Sequence, residues 1–112
     1  MASTDVDFSK FQTAAAEVSA ILRALANERR LMVLCELAAV EEASAGQLAE
    51  AVDLSQSALS QHLGKMRLEG LVTFRRESQT LWYRIADPRI KEVMATLQRL
   101  YCPPVRKIKK RS

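Results

Sequence analysis

Hydrophobic residues recur along this chain with two different spacings. In five stretches they fall at every third or fourth position, which is typical of amphipathic helices. In two later stretches they alternate with polar residues and are rich in β-branched and aromatic types, which predicts a hairpin. The helical stretches cover residues 8–26, 28–40, 44–52, 56–69 and 88–101, and the strands cover 71–76 and 80–85. The predicted order is α-α-α-α-β-β-α, a mostly α fold with one β-hairpin.

Local signals set several of these boundaries. Ser44 and Gln47 have the spacing of a capping box at the start of the third helix. Asp87 followed by Pro88 is typical of a helix start, since an acidic N-cap and a proline at the first helical position both favour it. Gly70 is placed where a glycine commonly ends a helix, which predicts that the fourth helix stops there.

The third and fourth helices are short and are separated by only residues 53–55, which predicts a helix-turn-helix. On the fourth helix Leu59, Leu63 and Met66 share one face and should be buried. The opposite face is small, polar and almost free of acid, so it can approach base edges and phosphates closely. The predicted DNA-binding residues on this face are Gln56, Ser57, Ser60, Gln61 and Lys65. An ordinary surface helix with a polar outer side is the alternative.

The hairpin that follows is predicted to be a wing. Arg75 and Arg76 are placed at its tip and, together with Gln79, are expected to contact the DNA backbone or minor groove. A solvated turn carrying two arginines is the alternative. His62 lies beside the apolar face of the fourth helix, where packing or a phosphate contact is expected rather than metal binding. The sequence leaves open whether Trp82 packs on the helices or is exposed.

Length and composition restrict the class of protein. A chain of 112 residues fits one domain. It contains no apolar run of membrane-spanning length and no signal-peptide pattern, so we expect a cytoplasmic protein without membrane contact. Two distant cysteines do not suit a disulfide scaffold, and one histidine does not suit a metal site. Residues 1–7 are expected to be disordered, 8–102 to form the domain, and 103–112 to be a basic tail.

Charge is distributed unevenly along the chain. Residues 1–54 carry 4 basic and 9 acidic side chains, a net −5, whereas residues 55–112 carry 13 basic and 4 acidic, a net +9. Five of the basic residues lie in the last seven positions. Positive charge around the fourth helix and hairpin favours double-stranded DNA as the partner, because phosphate neutralisation supplies much of DNA-binding affinity.

The first and last helices carry a wider apolar stripe than a small winged domain can cover. An uncovered stripe of this size favours a homodimer built on these two helices. Such a dimer places two recognition helices about one DNA turn apart, so the operator is expected to be an inverted repeat. The predicted interface residues are Val18, Ile21, Leu22, Val93, Leu97 and Leu100.

Three segments, LANERRLMVLCEL, SAGQLAEAVDLSQSALSQHLGKMRLEGLV and RRESQTLWYRI, together resemble the ArsR/SmtB family of bacterial repressors. The resemblance covers roughly residues 15–102. It implies a dimeric winged helix-turn-helix protein that is a DNA-binding regulator and not an enzyme. It also implies that an inducer bound elsewhere releases the operator.

The family resemblance also bears on the inducer. The paired thiols and the carboxylate–histidine pattern of the family's metal sensors are missing, so we expect neither metal nor cofactor. Cys35 and Cys102 are placed as in the thiol-sensing branch of the family. That resemblance implies that they link, directly or through extra sulfur atoms, when reactive sulfur species or oxidants appear.

Other interpretations stay open at this point. Cys35 could be a small buried hydrophobe and Cys102 an exposed helix-end thiol. The pair could instead bind a metal or metalloid with ligands from a partner chain. Some relatives are anti-silencing activators, so repression and activation are both possible outcomes. A thiol oxidoreductase needs a poised pair such as C-x-x-C, which the chain lacks, and a module for protein contacts alone does not explain the basic hairpin.

Overall fold

The computed structural model describes residues 7–102. Residues 1–6 and 103–112 lie outside this range, and with them nearly all of the predicted disordered N-terminus and the whole predicted basic tail. The elements in chain order are α1 (Phe8–Leu25), α2 (Glu28–Val40), β1 (Ala43–Ser44), α3 (Ala45–Val52), α4 (Gln56–Leu68), β2 (Val72–Glu77), β3 (Thr80–Ile85) and α5 (Pro88–Tyr101). The mostly α fold with a β-hairpin wing is thus confirmed, and no helix within the described range is long and apolar enough to cross a membrane.

The order predicted from sequence lacks one element, the short strand β1. The sequence predicts a loop at Ala43 and the start of the third helix at Ser44, but these two residues pair antiparallel with Tyr83 and Trp82, which makes a three-stranded sheet in the order β1-β3-β2. A two-residue strand has no alternation to detect in sequence. It forms because the outer edge of β3 presents backbone groups that need partners.

The predicted helix starts are confirmed by their hydrogen bonds. The Asn27 side chain accepts a bond from the Arg30 N–H at the start of α2. Ser44 and Gln47 form the complete capping box of α3, each side chain bonding the backbone of the other. The Asp87 carboxylate accepts from the Arg89 N–H at the start of α5. These local bonds explain why the boundaries could be predicted.

The end of α4 is a Schellman turn. Gly70 has a φ of 80°, its N–H donates to the Arg67 carbonyl, and the Leu71 N–H donates to the Met66 carbonyl. Glycine is favoured here because other residues rarely adopt a positive φ. The turn carries the chain directly from α4 into β2, and it therefore fixes where the hairpin starts relative to the helix.

The core lies between α2, α3, α4 and the hairpin, and α2 runs through it. Phe74 and Tyr83 from neighbouring strands pack edge to face at 5.4 Å between ring centroids on the inner side of the hairpin. The largest completely buried side chains are Leu34, Leu37, Leu48, Leu59, Leu63, Met66, Val33 and Val72. The core thus supports α4 along its whole apolar face.

The cap of α4 provides a stability test that leaves the core untouched. The Ser55 hydroxyl accepts a bond from the Ala58 N–H at 3.0 Å. We expect Ser55→Ala to lower the free energy of unfolding by about 1 kcal/mol, because one N–H of the first turn loses its partner. Ser57→Ala, at an exposed position two residues on, is the matched control and should change stability little. Urea unfolding of both variants checks this, and equal stabilities would contradict the assigned cap.

Candidate nucleic-acid interface and the two thiols

The two faces of α4 separate in the structure as the hydrophobic pattern predicted. Leu59, Leu63 and Met66 are completely buried in the core. The polar side chains proposed to contact DNA are all exposed on the helix: Gln56, Ser57, Ser60, Gln61 and Lys65. The outer face of α4 is therefore free to enter a groove as wide as the major groove of DNA.

A groove of about 460 Å³ lies between the N-terminal ends of α3 and α4 and the strand β3. Both helices begin at this groove, and helix N-termini present backbone N–H groups that favour anions such as phosphate. Gln56 and Gln79 lie on its two sides and are both among the predicted DNA-binding residues. The lining residues are Ser44, Ala45, Gly46, Gln56, Ser60, Gln79, Thr80, Leu81 and Tyr83.

The far end of α4 is held by an arginine that could not be selected from sequence. Arg30 on α2 makes a two-pronged pair with Glu69, at 2.8 Å and 3.0 Å, and also donates to the Ala24 carbonyl. The Arg30 side chain is only 12% exposed, so this contact is better shielded from water than most surface pairs. Hydrogen bonds from Arg30 hold the pKa of Glu69 below its ordinary value. The contact fixes α4 relative to α1 and α2.

The two arginines of the hairpin do not lie at its tip. The turn consists of Ser78 and Gln79, with Ser78 at a φ of 57°, so Arg75 and Arg76 lie within β2. Successive residues of a strand point to opposite faces, which separates the two side chains. Arg76 lies on the same face of the sheet as Phe74, which is the face that lines the groove. Arg75 lies on the opposite face.

Arg75 is bound by two carboxylates. Its guanidinium donates to Glu42 through Nε at 2.8 Å and Nη2 at 3.0 Å, and to Glu77 through Nη1 at 2.9 Å. These hydrogen bonds lower the pKa of Glu42 and raise the pKa of Arg75. The guanidinium also lies 5.9 Å from the ring centroid of Trp82, which is half-buried on the same face. Trp82 thus packs beneath Arg75 on the outer side of the sheet.

Two further positions on α4 bear on the interface. His62 is half-buried beside the apolar face. Arg67, which sequence reasoning missed, places its guanidinium 4.6 Å from the Phe74 ring centroid and so joins the last turn of α4 to the hairpin. An arginine near a helix end has no sequence pattern that identifies an aromatic partner seven residues away.

The two cysteines line one cavity. Cys35 on α2 is half-buried, Cys102 at the end of α5 is exposed, and both are unpaired thiols. The cavity has a volume of about 330 Å³ and lies between the two helices. Its other lining residues are Leu31, Met32, Met94, Leu97, Gln98 and Tyr101. The two thiols are thus neither buried apart nor on opposite sides of the molecule.

Gln98 contacts both cysteine residues and was not predicted from sequence. Its side-chain Nε2 donates to the Cys35 carbonyl at 2.9 Å and lies 3.1 Å from the Cys35 Sγ. Its backbone carbonyl accepts from the Cys102 N–H at 2.7 Å. One residue of α5 therefore sets both the position of α5 against Cys35 and the start of the turn that holds Cys102.

The predicted interface residues lie along α1 and α5. Leu22 is 57% exposed, Val93 38% and Leu100 66%, whereas Val18, Ile21 and Leu97 are half-buried. Of the residues in α1, only Leu25 is buried. The described part of the chain therefore leaves an apolar surface along α1 and α5 that its own fold does not cover.

Comparison with known proteins agrees with this architecture. Residues 27–73 match the model of a family described as "Bacterial regulatory protein, arsR family". The chain is 42% identical over 97 residues to the transcriptional activator HlyU of Vibrio cholerae, spanning 87% of this chain and 89% of HlyU. It is 35% identical over 100 residues to the biofilm growth-associated repressor of Agrobacterium fabrum, spanning 89% of this chain and 85% of that protein.

The structural comparison gives the same result. A solved structure of reduced HlyU from Vibrio cholerae superposes with a TM-score of 0.75 at 44% identity, covering 83% of this chain and 97% of the other. Fold, helix-turn-helix and hairpin agree with regulators that bind DNA rather than with enzymes. The chain therefore belongs to the ArsR family of bacterial transcription regulators.

Proposed function

We propose that this regulator is a homodimer whose paired α4 helices read an inverted-repeat operator, and that a sulfur bridge between Cys35 and Cys102 switches this binding. Reactive sulfur species or oxidants are the inducers. The observation that carries the switch is that both thiols line one cavity between α2 and α5. The exposed polar face of α4 supports DNA binding.

The proposed DNA surface consists of the outer face of α4 and one side of the wing. Amide and hydroxyl groups there can bond base edges, and the side chains of Lys65 and Arg76 can neutralise phosphates. Beyond these two, the surface includes Gln56, Ser57, Ser60, Gln61 and Gln79. Arg75 is not part of this surface, because carboxylates occupy its guanidinium.

The proposed dimer covers the apolar surface of α1 and α5. Leu22, Val93 and Leu100 are exposed in the single chain and would be buried by the same surface of a second copy. Val18, Ile21 and Leu97, half-buried on the same two helices, would complete the apolar contact. A two-fold arrangement presents two α4 helices to successive major grooves, and the matching operator is an inverted repeat.

The proposed switch is a two-electron oxidation of two thiols. With a hydropersulfide, both Cys S–H bonds break and an S–S bond forms, while the persulfide is reduced to a thiol and H₂S. With hydrogen peroxide, the same two thiols give a disulfide and two molecules of water. A second persulfide can insert its outer sulfur into the bridge and leave as a thiol, and the resulting trisulfide spans a wider gap than the roughly 7 Å between Cα atoms that a disulfide tolerates.

The bridge would act through the packing of α5. The Gln98 amide lies 3.1 Å from Cys35 Sγ and donates to the Cys35 carbonyl, and a bond from that sulfur to Cys102 would alter this contact between α2 and the end of α5. Since α5 also carries Val93 and Leu100, a shift of its end changes the dimer surface. The angle between the two α4 helices then no longer matches the half-site spacing.

The reduced protein is proposed to repress transcription at its promoter. In the alternative, it activates transcription by displacing a silencer, and the inducer releases this activator from DNA. The relatives carry both kinds of name, an activator from Vibrio cholerae and a repressor from Agrobacterium fabrum. That one solved relative is named as reduced HlyU supports redox sensitivity in this group.

Binding of a thiophilic metalloid is the second candidate, and the same cavity favours it. Two thiolates could hold such an ion if a partner chain supplied a third ligand. Arsenite or antimonite would then release DNA while both sulfurs stay unoxidised and no S–S bond forms. Mass spectrometry of the intact chain distinguishes the two candidates, because a disulfide removes two hydrogens and a longer bridge adds sulfur.

The experiment for the switch measures operator affinity before and after treatment with a hydropersulfide donor. We expect the treated protein to bind at least about tenfold more weakly, a coupling free energy in the ordinary range for allosteric regulators. Because the chain contains only two cysteines, Cys35→Ser and Cys102→Ser leave no other bridge within a chain. Both variants should bind the operator as tightly as the reduced wild-type protein does, both before and after treatment with the donor. Unchanged wild-type affinity, or a full response in Cys35→Ser, would reject the switch.

A further inference from the structure

We propose that Arg75 is a positioning residue rather than a DNA ligand. It fastens the wing to the segment before β1 through Glu42, and the adjacent Arg76 makes the phosphate contact. This inference rests on the proposed DNA-binding function, since the consequence of a misplaced wing is measured as lost operator affinity.

The guanidinium of Arg75 is fully engaged by carboxylates. Nε and Nη2 donate to the two oxygens of Glu42, and Nη1 donates to Glu77, so every nitrogen of Arg75 already has a carboxylate partner. Two-pronged pairs of this kind fix orientation as well as distance. Within residues 7–102, Arg76 has no carboxylate within 4.0 Å. The two neighbouring arginines are therefore in different chemical situations.

Arg75 and Glu42 lie on opposite sides of the middle strand of the sheet. Arg75 lies on β2 and is the register partner of Trp82 on β3, while Glu42 immediately precedes β1. In a sheet ordered β1-β3-β2, the Arg75 side chain crosses the middle strand over the Trp82 ring to reach Glu42. A single side chain thus connects the two outer strands.

Arg75 and Arg76 point to different faces of the sheet. Arg75 and Trp82 lie on one face, whereas the neighbouring pair Phe74 and Tyr83 lies on the other. Tyr83 lines the groove beside Gln56, and Phe74 contacts Arg67 of α4. Arg75 consequently points away from the groove where the DNA surface is proposed, and Arg76 is on the side that faces it.

The local charge agrees with this assignment. Glu42 also lies 4.0 Å from Arg84, so two carboxylates and two guanidinium groups form one cluster with no net charge. A neutral cluster attracts phosphate weakly, because counterion release needs uncompensated positive charge. What the cluster does instead is join the wing to the end of α2, where Glu41 has a φ of 74° and pairs with Lys91 of α5.

The test compares the salt dependence of operator binding in Arg75→Gln, Glu42→Gln and the matched control Arg76→Gln. We expect Arg75→Gln and Glu42→Gln to weaken binding by a similar factor, about threefold for each wing and about tenfold for a dimer. Neither should change the slope of log affinity against log salt. Arg76→Gln should weaken binding and make the slope shallower by about 2, one lost phosphate contact for each protomer.

Two additional variants make the result specific to the pair. Glu42→Gln combined with Arg75→Gln should bind no more weakly than either single variant, since both remove the same interaction. The charge swap Glu42→Arg with Arg75→Glu keeps the net charge and restores an ion pair between the two positions, but it also sets like charges beside Glu77 and Arg84, so it should recover only part of the lost affinity. Melting temperatures within a few degrees of wild type establish that all variants are folded.

Other results would contradict the role assigned to Arg75. If Arg75 binds phosphate and Glu42 merely competes for it, Glu42→Gln will tighten binding and Arg75→Gln will make the salt slope shallower. Full affinity in both single variants would also overturn the assignment. If the wild-type protein itself shows no salt-dependent DNA binding, the proposed function fails, which separates that failure from failure of this inference.

Discussion

Gln56→Glu is expected to weaken operator binding by about a hundredfold or more without reducing the stability of the fold. Gln56 is the first residue of α4 and lines the groove between α4 and the wing. A carboxylate there cannot donate to a base edge and repels nearby phosphates, a loss of about 1–3 kcal/mol at each of two recognition helices. The substitution favours the helix itself, because negative charge at a helix N-terminus stabilises it.

The matched control is Gln12→Glu, the same chemical change at an exposed position within α1. Fluorescence anisotropy with labelled operator DNA measures both affinities, and thermal unfolding measures both stabilities. The control should bind within about a factor of two of wild type, since one added charge far from DNA is largely screened. Equal affinities for the two variants would show that α4 does not read the DNA.

Leu22→Asp is expected to dissociate the dimer and raise its dissociation constant by about a hundredfold or more. Leu22 is 57% exposed in the single chain, so the folded monomer accepts an acidic side chain there. In a two-fold dimer the substitution appears twice, and each copy would bury an unpaired carboxylate against an apolar surface at a cost of several kcal/mol. Operator affinity should fall with it, because one monomer occupies only one half-site.

Leu68→Asp is the control for this prediction. Leu68 is 86% exposed on α4 and lies outside the proposed interface, so the same substitution should leave the dimer intact. Sedimentation velocity across a concentration series reports the oligomeric state of each variant. A Leu22→Asp protein that sediments as wild type does would exclude α1 from the interface.

The helices could be predicted from sequence because their signals are local. Periodic apolar residues gave the faces, while Ser44, Asp87 and Gly70 gave the ends, and each acts through a neighbour within about four residues. The strand β1 could not be predicted, since Ala43 and Ser44 are a strand only because β3 lies beside them. Its formation depends on contacts made by residues about forty positions away.

In the candidate site, too, the features set by neighbouring residues could be predicted and those set by distant residues could not. The polar face of α4 follows from helical periodicity, and its exposure follows once the opposite face is buried. The sequence placed Arg75 and Arg76 together as basic wing residues, but Glu42, which separates their roles, is 33 positions from Arg75. Gln98 is similarly 63 positions from Cys35. Periodicity and composition contain no information on such pairs.

The central claim, that two α4 helices enter successive major grooves, is tested most directly by methylation protection on an operator selected from random DNA. Dimethyl sulfate modifies guanine N7, which lies in the major groove. We expect two protected patches about one helical turn apart, related by a two-fold axis, and loss of both in Gln56→Glu. Tight binding that leaves every guanine N7 open to methylation would contradict the account.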